Sequence, residues 1–283
     1  MTEKTVVQAW TQQARNHQQT DRAGFWGIGD LLRGSNVLFD ACQTMGVRYL
    51  LNIDGHPVSR IFQPTDTAVS INDREVEFWT FDTIEEVPVR IATALESDGY
   101  LVMNTNGGPV WPSHQSSEWK SWIRQILRPN HSFQMHLKTV LPPIPYNVFH
   151  FRLGDSGLVR GERAQLREAL EALDRHGEPE DVVITDSSEL QEYLRRNRHE
   201  IRVSDAKPVH TGLSADIETI SQTMSDFFLI GGARKAKSYS VYQGPSGFVV
   251  SAARIFDVPV TYVGNEIRRP KKNFIKRALN LWR

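Results

Sequence analysis

Short apolar runs alternate with amphipathic stretches along most of the chain, which predicts an α/β fold. Apolar runs of strand length occur in VRYLLNID, EVEFWTFD and YLVMNTNGG, and helix-like patterns separate them. The same order continues in the second half, with strand patterns in YNVFHFRLGD and DVVITD and an amphipathic helix in ERAQLREALEALDRHG. Strands that alternate with helices are typical of parallel sheets. Residues 1–22 are polar with scattered apolar positions and predict one short helix.

The stretch LPPIP, residues 141–145, predicts a boundary between two α/β domains, because proline pairs poorly inside a central strand. We place an N-terminal domain at residues 1–143 and a C-terminal domain at residues 144–265. A basic tail follows at residues 266–283. A chain of 283 residues is long for one compact core and comfortable for two domains.

Composition and charge narrow the class of protein. The hydrophobic fraction of 40% and the charged fraction of 23% are those of a globular protein. The formal net charge is zero, so nucleic acid is not expected as a partner. The single cysteine, Cys42, excludes an internal disulfide and a cysteine-based zinc site. With no signal-peptide pattern and no apolar run near the ~20 residues that span a bilayer, we expect a cytoplasmic protein.

Two segments of the first and middle parts of the chain combine a predicted strand end or helix start with chemistry-bearing residues, as ligand sites of parallel sheets do. In GFWGIGDLLRG, glycines permit close backbone approach, and Asp30 is either a functional carboxylate or the N-cap of the next helix. In HFRLGD, alternation places His150 and Arg152 on one face of a strand. Arg152 either holds a phosphate or pairs with a neighbouring carboxylate.

Two later segments share this position. In ITDSSEL, Asp186 or Ser187 either caps the following helix or accepts hydrogen bonds from a base or ribose. In YQGPSGFVVSAARI, Gly244, Ser246 and Gly247 precede a helix, where they form either an anion site or a tight turn that needs glycine. No clear strand precedes the first glycine-rich segment and its spacing is not G-x-G-x-x-G, which disfavours a nicotinamide-dependent oxidoreductase.

Together and in this order, the segments resemble the GDP-fucose-dependent fucosyltransferase superfamily, which includes nodulation, core N-glycan and protein O-fucosyltransferases. The resemblance covers residues 24–262. Its motifs are G-I-G-D-x-L-R-G from residue 27, H-x-R-x-G-D from residue 150, T-D-S from residue 185, D-F-F-L from residue 226 and S-G-F from residue 246. The sequence departs from the family's S-x-F-S pattern at Gly247, and its first half is shorter than in eukaryotic relatives.

The resemblance implies a GT-B fold of two facing Rossmann-like domains, with the donor held mainly by the C-terminal one. It also implies transfer of fucose, or of a related sugar, from a GDP-sugar with inversion and without a metal ion or other cofactor. Arg152 would hold the donor β-phosphate and stabilise the departing GDP, and Asp30 and Asp155 are the further catalytic candidates. The residues implied at the donor are Gly27, Gly29, His150, Arg152, Gly154, Asp186, Ser187, Ser246, Gly247 and Phe248.

The acceptor and the C-terminal tail leave alternatives open. A glycan such as a polysaccharide, a lipid-linked glycan and a protein hydroxyl all remain as acceptors. The tail at residues 268–283 holds seven basic residues and no acidic one, and it either lies on an anionic membrane or packs back on the N-terminal domain. Trp111, Trp119 and Trp122 either stack on an acceptor sugar or pack in the core. The alternative function is a catalytically degenerate protein that binds a nucleotide or a glycan.

Overall fold

The computed structural model confirms an α/β fold. It describes residues 3–10, 13–14, 23–24, 27–64, 76–107, 115–143, 145–154, 162–206, 216–242 and 244–264. The strands are β1 Thr5–Ala9, β2 Gln13–Ala14, β3 Ala23–Gly24, β4 Arg48–Asn52, β5 Glu77–Phe78, β6 Tyr100–Asn104, β7 Asn147–Arg152, β8 Asp181–Thr185, β9 Arg202–Val203, β10 Ala236–Ser240 and β11 Val260–Tyr262. The α-helices are α1 Ile28–Met45, α2 Glu86–Asp98, α3 Ser117–Ile126, α4 His131–Val140, α5 Glu162–His176, α6 Ser188–Asn197, α7 Ile217–Gly231 and α8 Gly247–Ile255. A 3₁₀ helix covers Pro57–Ile61.

The first sheet has the strand order β4-β1-β6-β5, and its described pairings are parallel. Its central strand β1 lies where the sequence predicted a short helix, so that prediction is wrong, as is the expectation that no strand precedes the first glycine-rich segment. Val6 and Val7 are both buried, because a central strand of a parallel sheet is covered on both faces. The strand therefore lacks the alternation that would have identified it.

The second sheet has the order β11-β10-β7-β8-β9 and is also parallel in its described pairings. Alternate residues of β7 enter different hydrophobic clusters. Phe149 and Phe151 pack with residues of α5 and α6, such as Leu173 and Leu190. Val148 belongs to the large cluster that includes residues of α7 and α8. The two faces of this sheet are thus covered by different helix pairs.

Helix α1 begins inside the glycine-rich stretch GFWGIGD, which was predicted to be a turn. Its first residue is Ile28 and its N-cap is Gly27, so the interpretation of Asp30 as the N-cap is wrong, and Asp30 lies in the first turn. The helix ends at Gly46, which has φ +65° and donates its N–H to Gln43 O at 3.2 Å. This end agrees with the predicted stop.

The segment after α3 contains a helix that the sequence did not predict. The proline at residue 129 correctly indicated the end of α3, but α4 starts two residues later. Asn130 caps it, because its side-chain oxygen accepts a hydrogen bond from Phe133 N at 2.9 Å. LPPIP lies between α4 and β7. Among the helices in the described ranges, none is long and apolar enough to cross a membrane.

Helices α1 and α8 bring the two sheets together. One hydrophobic cluster runs from Leu38 on α1 to Val249 on α8 without a break at the proposed domain boundary. Near the C-terminal end of α8, Lys120 and Arg124 of α3 both pair with Asp257, and the Lys120 Nζ–Asp257 Oδ1 distance is 2.6 Å. The two halves therefore share one hydrophobic core and also meet near the C-terminal end of α8.

Candidate active site

The candidate site lies at the carboxyl edge of the second sheet, between β7 and β10. From β7 the chain continues to β8 and β9 on one side, and it returns through α7 to β10 on the other side. Such a reversal of strand order opens a crevice at the carboxyl ends of the strands, where ligands of parallel α/β sheets bind. Arg152 is the last residue of β7, and α8 begins shortly after β10.

Arg152 pairs with Asp186, which follows β8. The guanidinium Nη1 donates to Asp186 Oδ2, and the two side chains are 24% and 22% exposed. The carboxylate also accepts hydrogen bonds from Leu153 N at 2.7 Å and from Gly154 N at 3.2 Å. The salt bridge that the sequence left as one alternative for Arg152 is therefore present. The Asp186 carboxylate is directed at the loop after β7.

Tyr242 forms one wall beside this pair, and sequence reasoning missed it. The Arg152 guanidinium carbon lies 5.8 Å from the centroid of the tyrosine ring, which is in a residue 43% exposed. A Cβ on Gly154, where φ is +86°, would lie 2.4 Å from Tyr242 Oη, so only glycine fits there. The available signal was a tyrosine shortly before the glycine turn, in VYQGPSG.

His150 lies below Arg152 on the same strand and is only 4% exposed. Burial lowers the pKa of this imidazole to about 4, so the ring is neutral at neutral pH. Its ring stacks on Phe248 of α8 with centroids 6.1 Å apart. Among the described residues, Nδ1 of His150 has no hydrogen-bond partner. His150 thus contributes a neutral, buried polar group where β7 meets the start of α8.

The N-termini of α1 and α8 touch each other at Gly29 and Gly247. A Cβ built on Gly29 would lie 2.6 Å from Gly247 C and 2.8 Å from Phe248 N. Because the obstructing atoms are backbone, no side-chain movement could relieve that clash. The two predicted donor glycines therefore face each other, and they bring the positive ends of two helices to one place.

Asp30 lies beside this contact but pairs within its own helix. Its Oδ1 is 2.9 Å from Arg33 Nη2, and its side chain is 36% exposed. Arg33 also donates through Nε to Asn106 O, two residues after the end of β6. Gly27 is buried, and its carbonyl oxygen accepts from Asp30 N at 3.0 Å. The carboxylate of Asp30 is therefore held on the first-sheet side of the crevice.

Two serines predicted at the donor are helix N-caps. Ser187 Oγ accepts from Leu190 N at 3.2 Å at the start of α6, which confirms the capping alternative for this residue. Ser246 Oγ accepts from Phe248 N at 3.3 Å at the start of α8. Both caps shape loops that border the crevice.

Some predicted residues lie outside the described part of the chain: Asp155, Trp111 and the tail at residues 268–283. Trp119 is completely buried and donates from Nε1 to Ser35 Oγ at 3.2 Å, so it packs in the core. Trp122 is partly buried against the same cluster. These two tryptophans are core residues, as one alternative predicted.

Asp226, the first residue of the D-F-F-L motif, lies away from the crevice. It lines a cavity of about 150 Å³ between α4, α7 and β9, and Ser204 donates a hydrogen bond to it. Burial raises the pKa of its carboxyl to about 7. The next residue, Phe227, packs edge-on against Phe248 with ring centroids 5.6 Å apart. The motif therefore supports the start of α8 from behind.

The arrangement is suited to an anionic ligand. A guanidinium and two helix N-termini converge on one crevice, and each favours negative charge. In the part of the chain that the structure describes, there is no group of three histidine, cysteine, aspartate or glutamate side chains that could hold a metal ion.

Fold and site together define an α/β protein with two parallel sheets and a candidate ligand site at the carboxyl edge of the second sheet. Among solved structures, the chain is similar to NodZ α-1,6-fucosyltransferase soaked with GDP-fucose, with a TM-score of 0.58 and 14% identity over 95% of this chain and 97% of that one. It is also similar to fucosyltransferase NodZ from Bradyrhizobium, with a TM-score of 0.58 and 12% identity over 93% and 96% of the two chains. NodZ co-crystallised with GDP gives a TM-score of 0.56 and 12% identity over 92% and 94%.

These similarities confirm the sequence-based resemblance at the level of the fold. The chain shares the α/β fold of NodZ across nearly its whole length. No protein-family model and no curated protein sequence matches it. GDP-fucose and GDP are ligands in the NodZ structures.

Proposed function

We propose that this protein is a metal-independent, inverting glycosyltransferase that moves fucose, or a related sugar, from a GDP-sugar to a hydroxyl acceptor. The observation that carries the proposal is the convergence of Arg152 with the N-termini of α1 and α8 at one crevice. Negative charge grows on the diphosphate as the sugar–oxygen bond breaks, and preplaced positive groups lower that barrier. The fold shared with NodZ supports the same assignment.

In this proposal the two sheets are the cores of two facing Rossmann-like domains in a GT-B arrangement. The first domain covers residues 1–143 and the second residues 144–265. The donor binds mainly to the second domain, because Arg152 and the start of α8 belong to it. The contact between Gly29 and Gly247 closes the crevice from the first domain.

The main residues of the candidate site take different parts in the proposed reaction. The acceptor oxygen attacks the anomeric carbon, the bond from that carbon to the β-phosphate oxygen breaks, and Arg152 stabilises the departing GDP. His150 lines the nucleotide site as a neutral side chain, since burial lowers its pKa to about 4. Asp30 or Asp155 accepts the acceptor proton. Gly27, Ser246 and Phe248 supply backbone that approaches the donor closely.

The acceptor is a glycan, a lipid-linked glycan or a protein hydroxyl, and the reaction takes place in the cytoplasm. The basic residues at 268–283 add contact with an anionic membrane surface. Flotation with vesicles containing anionic lipid tests this part. A chain truncated after Asn265 should lose the vesicle binding, and unchanged binding would remove the membrane contact from the proposal.

A panel of nucleotides and nucleotide sugars, screened by thermal shift, tests the donor. GDP and GDP-sugars should raise the melting temperature, because a ligand at a hundredfold excess over Kd stabilises by about 2.7 kcal/mol. Transfer from the stabilising GDP-sugar is then measured with and without EDTA, and NMR of the product gives the anomeric configuration. Activity lost with EDTA, or a retained configuration, would contradict the corresponding part of the proposal.

The second candidate is a catalytically degenerate nucleotide- or glycan-binding protein of the same fold. One observation favours it, because both described catalytic candidates are paired within the chain, Arg152 with Asp186 and Asp30 with Arg33. Calorimetry with GDP beside a transfer assay over hours separates the two functions. Binding without turnover would favour the degenerate protein.

A further inference from the structure

We infer that Tyr242 is a second anion-binding residue of the crevice, whose hydroxyl donates a hydrogen bond to the phosphate group that Arg152 holds. In the proposed function this group is the β-phosphate of the donor, so the inference rests on that function and deepens it. Tyr242 lies between the D-F-F-L and S-G-F segments and belongs to neither of them.

The backbone places Tyr242 on the same side of the second sheet as Arg152. Ser240, the last residue of β10, is in register with Arg152 on β7. Val241 N donates to Arg152 O at 3.0 Å, so the pairing continues to the carboxyl edge. Alternate residues of a strand share a face, and Tyr242, two residues after Ser240, returns to the face of Arg152. The two side chains therefore come from the two strands that border the crevice.

The ring of Tyr242 lies against the turn that follows Arg152. Its centroid is 5.8 Å from the guanidinium carbon, which is within the range of a cation–π contact. Its far end lies over Gly154, because a Cβ built there would be 2.4 Å from Tyr242 Oη. Gly154 N donates to Asp186 Oδ2, the oxygen that also accepts from Arg152 Nη1. The phenol oxygen and the guanidinium therefore flank the same turn.

The backbone of Tyr242 is held in place while its side chain stays accessible. Tyr242 N donates to Ser240 Oγ at 3.1 Å, and Tyr262 Oη donates to Tyr242 O at 3.1 Å. Tyr262 Oη also accepts from Gly244 N at 3.3 Å, which ties the loop after β10 to β11. Tyr242 itself is 43% exposed. A side chain on a backbone held in this way loses less conformational freedom when it binds a ligand.

Both polar groups retain hydrogen atoms for a ligand. In the part of the chain that the structure describes, the hydroxyl of Tyr242 has no hydrogen-bond partner. The guanidinium of Arg152 carries five N–H donors, and among the described residues Asp186 accepts from it through Nη1. A phosphate group presents several acceptor oxygens, so it can accept from an arginine and from a phenol at the same time.

Calorimetry with GDP and GMP on Tyr242→Phe tests the inference, because this variant keeps the ring and loses only the hydroxyl. We expect the Kd for GDP to rise about tenfold, as the loss of a hydrogen bond to a charged group does. The Kd for GMP, which has no β-phosphate, should stay that of the wild type. An unchanged Kd for GDP, or equal weakening of GDP and GMP, would overturn the inference.

Tyr193→Phe is the matched control, because Tyr193 is another exposed tyrosine, 38% accessible, and lies on α6. It should bind both nucleotides as the wild type does. A Kd for GDP that rises equally in both variants would show that the loss is not specific to the hydroxyl beside Arg152, and this result too would overturn the inference.

NMR of tyrosines labelled with ¹³C at Cζ gives a readout on the wild type that needs no turnover. The resonance of Tyr242 is assigned by its absence from Tyr242→Phe or, if that variant does not fold, from Tyr242→His. It should shift when inorganic pyrophosphate is added, and Arg152→Ala should lose this shift. A Tyr242 resonance that moves with neither pyrophosphate nor GDP would contradict the inference.

The two ligands separate this inference from the proposed function. A wild type that binds pyrophosphate through Tyr242, but binds GDP no more tightly than pyrophosphate, would refute the GDP-sugar donor and support the anion contact of Tyr242. A wild type that binds GDP and transfers its sugar, with the same Kd for GDP in Tyr242→Phe, would support the donor and overturn the role of Tyr242.

Discussion

The carboxyl edges of the two sheets are built in opposite ways. At the first sheet, polar groups at the edge after β6 hydrogen-bond to one another. Thr105 N donates to Asn104 Oδ1 at 2.8 Å, and Gly107 N donates to Thr105 Oγ1 at 2.9 Å. Gln8 Nε2 donates to Thr105 O at 3.1 Å. At the second sheet, the partly exposed guanidinium of Arg152 pairs with Asp186, and the N-terminus of α8 follows β10. In the proposed function, the second edge carries the chemistry and the first one supports it.

Helix α1 shows how the first half takes part without supplying the main charge. Its backbone lies close to the first sheet, because a Cβ on Gly34 would lie 2.1 Å from Thr105 O. Its N-terminus lies equally close to the second half through Gly29 and Gly247. The helix is therefore wedged between the two edges, and glycine is needed at both contacts.

The largest effect should come from removing the charge at the second edge. Arg152→Ala should lower kcat at least about a hundredfold, because the departing diphosphate loses its guanidinium. The melting temperature should change little, since the side chain is partly exposed. Arg195→Ala, which removes another arginine paired with a carboxylate, is the control and should transfer sugar normally. Normal transfer by Arg152→Ala would contradict the division of labour between the edges.

The next effect is the pH dependence of stability, which comes from two buried groups of the second half, Asp226 and His150. Burial raises the pKa of Asp226 to about 7, so the folded protein keeps this proton between about pH 4 and 7, where the unfolded chain has released it. The favourable contribution of the protonated carboxyl to the free energy of unfolding is fully present below about pH 4, and it is lost as the pH rises to about 7. Asparagine mimics the protonated acid. The free energy of unfolding of Asp226→Asn, relative to that of the wild type, should therefore increase by about 2–4 kcal/mol as the pH rises from 4.5 to 7.5.

Urea unfolding at the two pH values measures this gain, with Asp205→Asn as the exposed control. The lowered pKa of His150 has the opposite sign, because its contribution is lost as pH falls from about 6.5 to about 4. In a plot of wild-type stability against pH, the two contributions therefore partly cancel, and neither can be measured from the wild type alone. A difference between Asp226→Asn and wild type that does not change with pH would show that Asp226 is ionised when folded.

A smaller effect should come from separating the two halves at their closest contact. Gly29→Ala places a Cβ 2.6 Å from Gly247 C and should cost about 1–3 kcal/mol of stability, as overpacking does, with a parallel loss of activity. Gly247→Ala is a matched control from the other side of the contact, because its Cβ would meet nothing nearer than 4.0 Å. Equal melting temperatures for the two variants would contradict the contact between α1 and α8.

The smallest effect should come from the ion pairs between α3 and the end of α8. Asp257→Asn removes the pairing with Lys120 and Arg124, which also holds the pKa of Asp257 below its usual range. The carboxylate is 59% exposed, so we expect a loss of no more than about 1 kcal/mol, and less in high salt. A larger loss, unchanged by salt, would indicate that these pairs rather than the glycine contact hold the halves together.

Much of the fold and the ordered motifs could be predicted because their signals are local. Gly46 ends α1, Ser187 caps α6, and the amphipathic pattern gives α5 its bounds near Gly177. Alternation along β7 placed His150 and Arg152 on one face. These features depend on neighbours in the sequence, so a single chain contains enough information to find them.

The rest depends on contacts between distant segments. The strand β1 was missed because both of its faces are buried, and a two-sided strand has no alternation. The pairing of Arg152 with Asp186 joins residues 34 positions apart, and the contact of Gly29 with Gly247 joins the two halves. Both glycines belong to segments that the sequence singled out, but no local pattern indicates that the two glycines face each other.

A crystal soaked with GDP tests the central claim most directly. The account predicts electron density for the diphosphate between the N-terminus of α8 and Arg152, with the Arg152 guanidinium in hydrogen-bond contact with the β-phosphate. Density for the nucleotide elsewhere on the molecule, with an empty crevice beside Arg152, would contradict it.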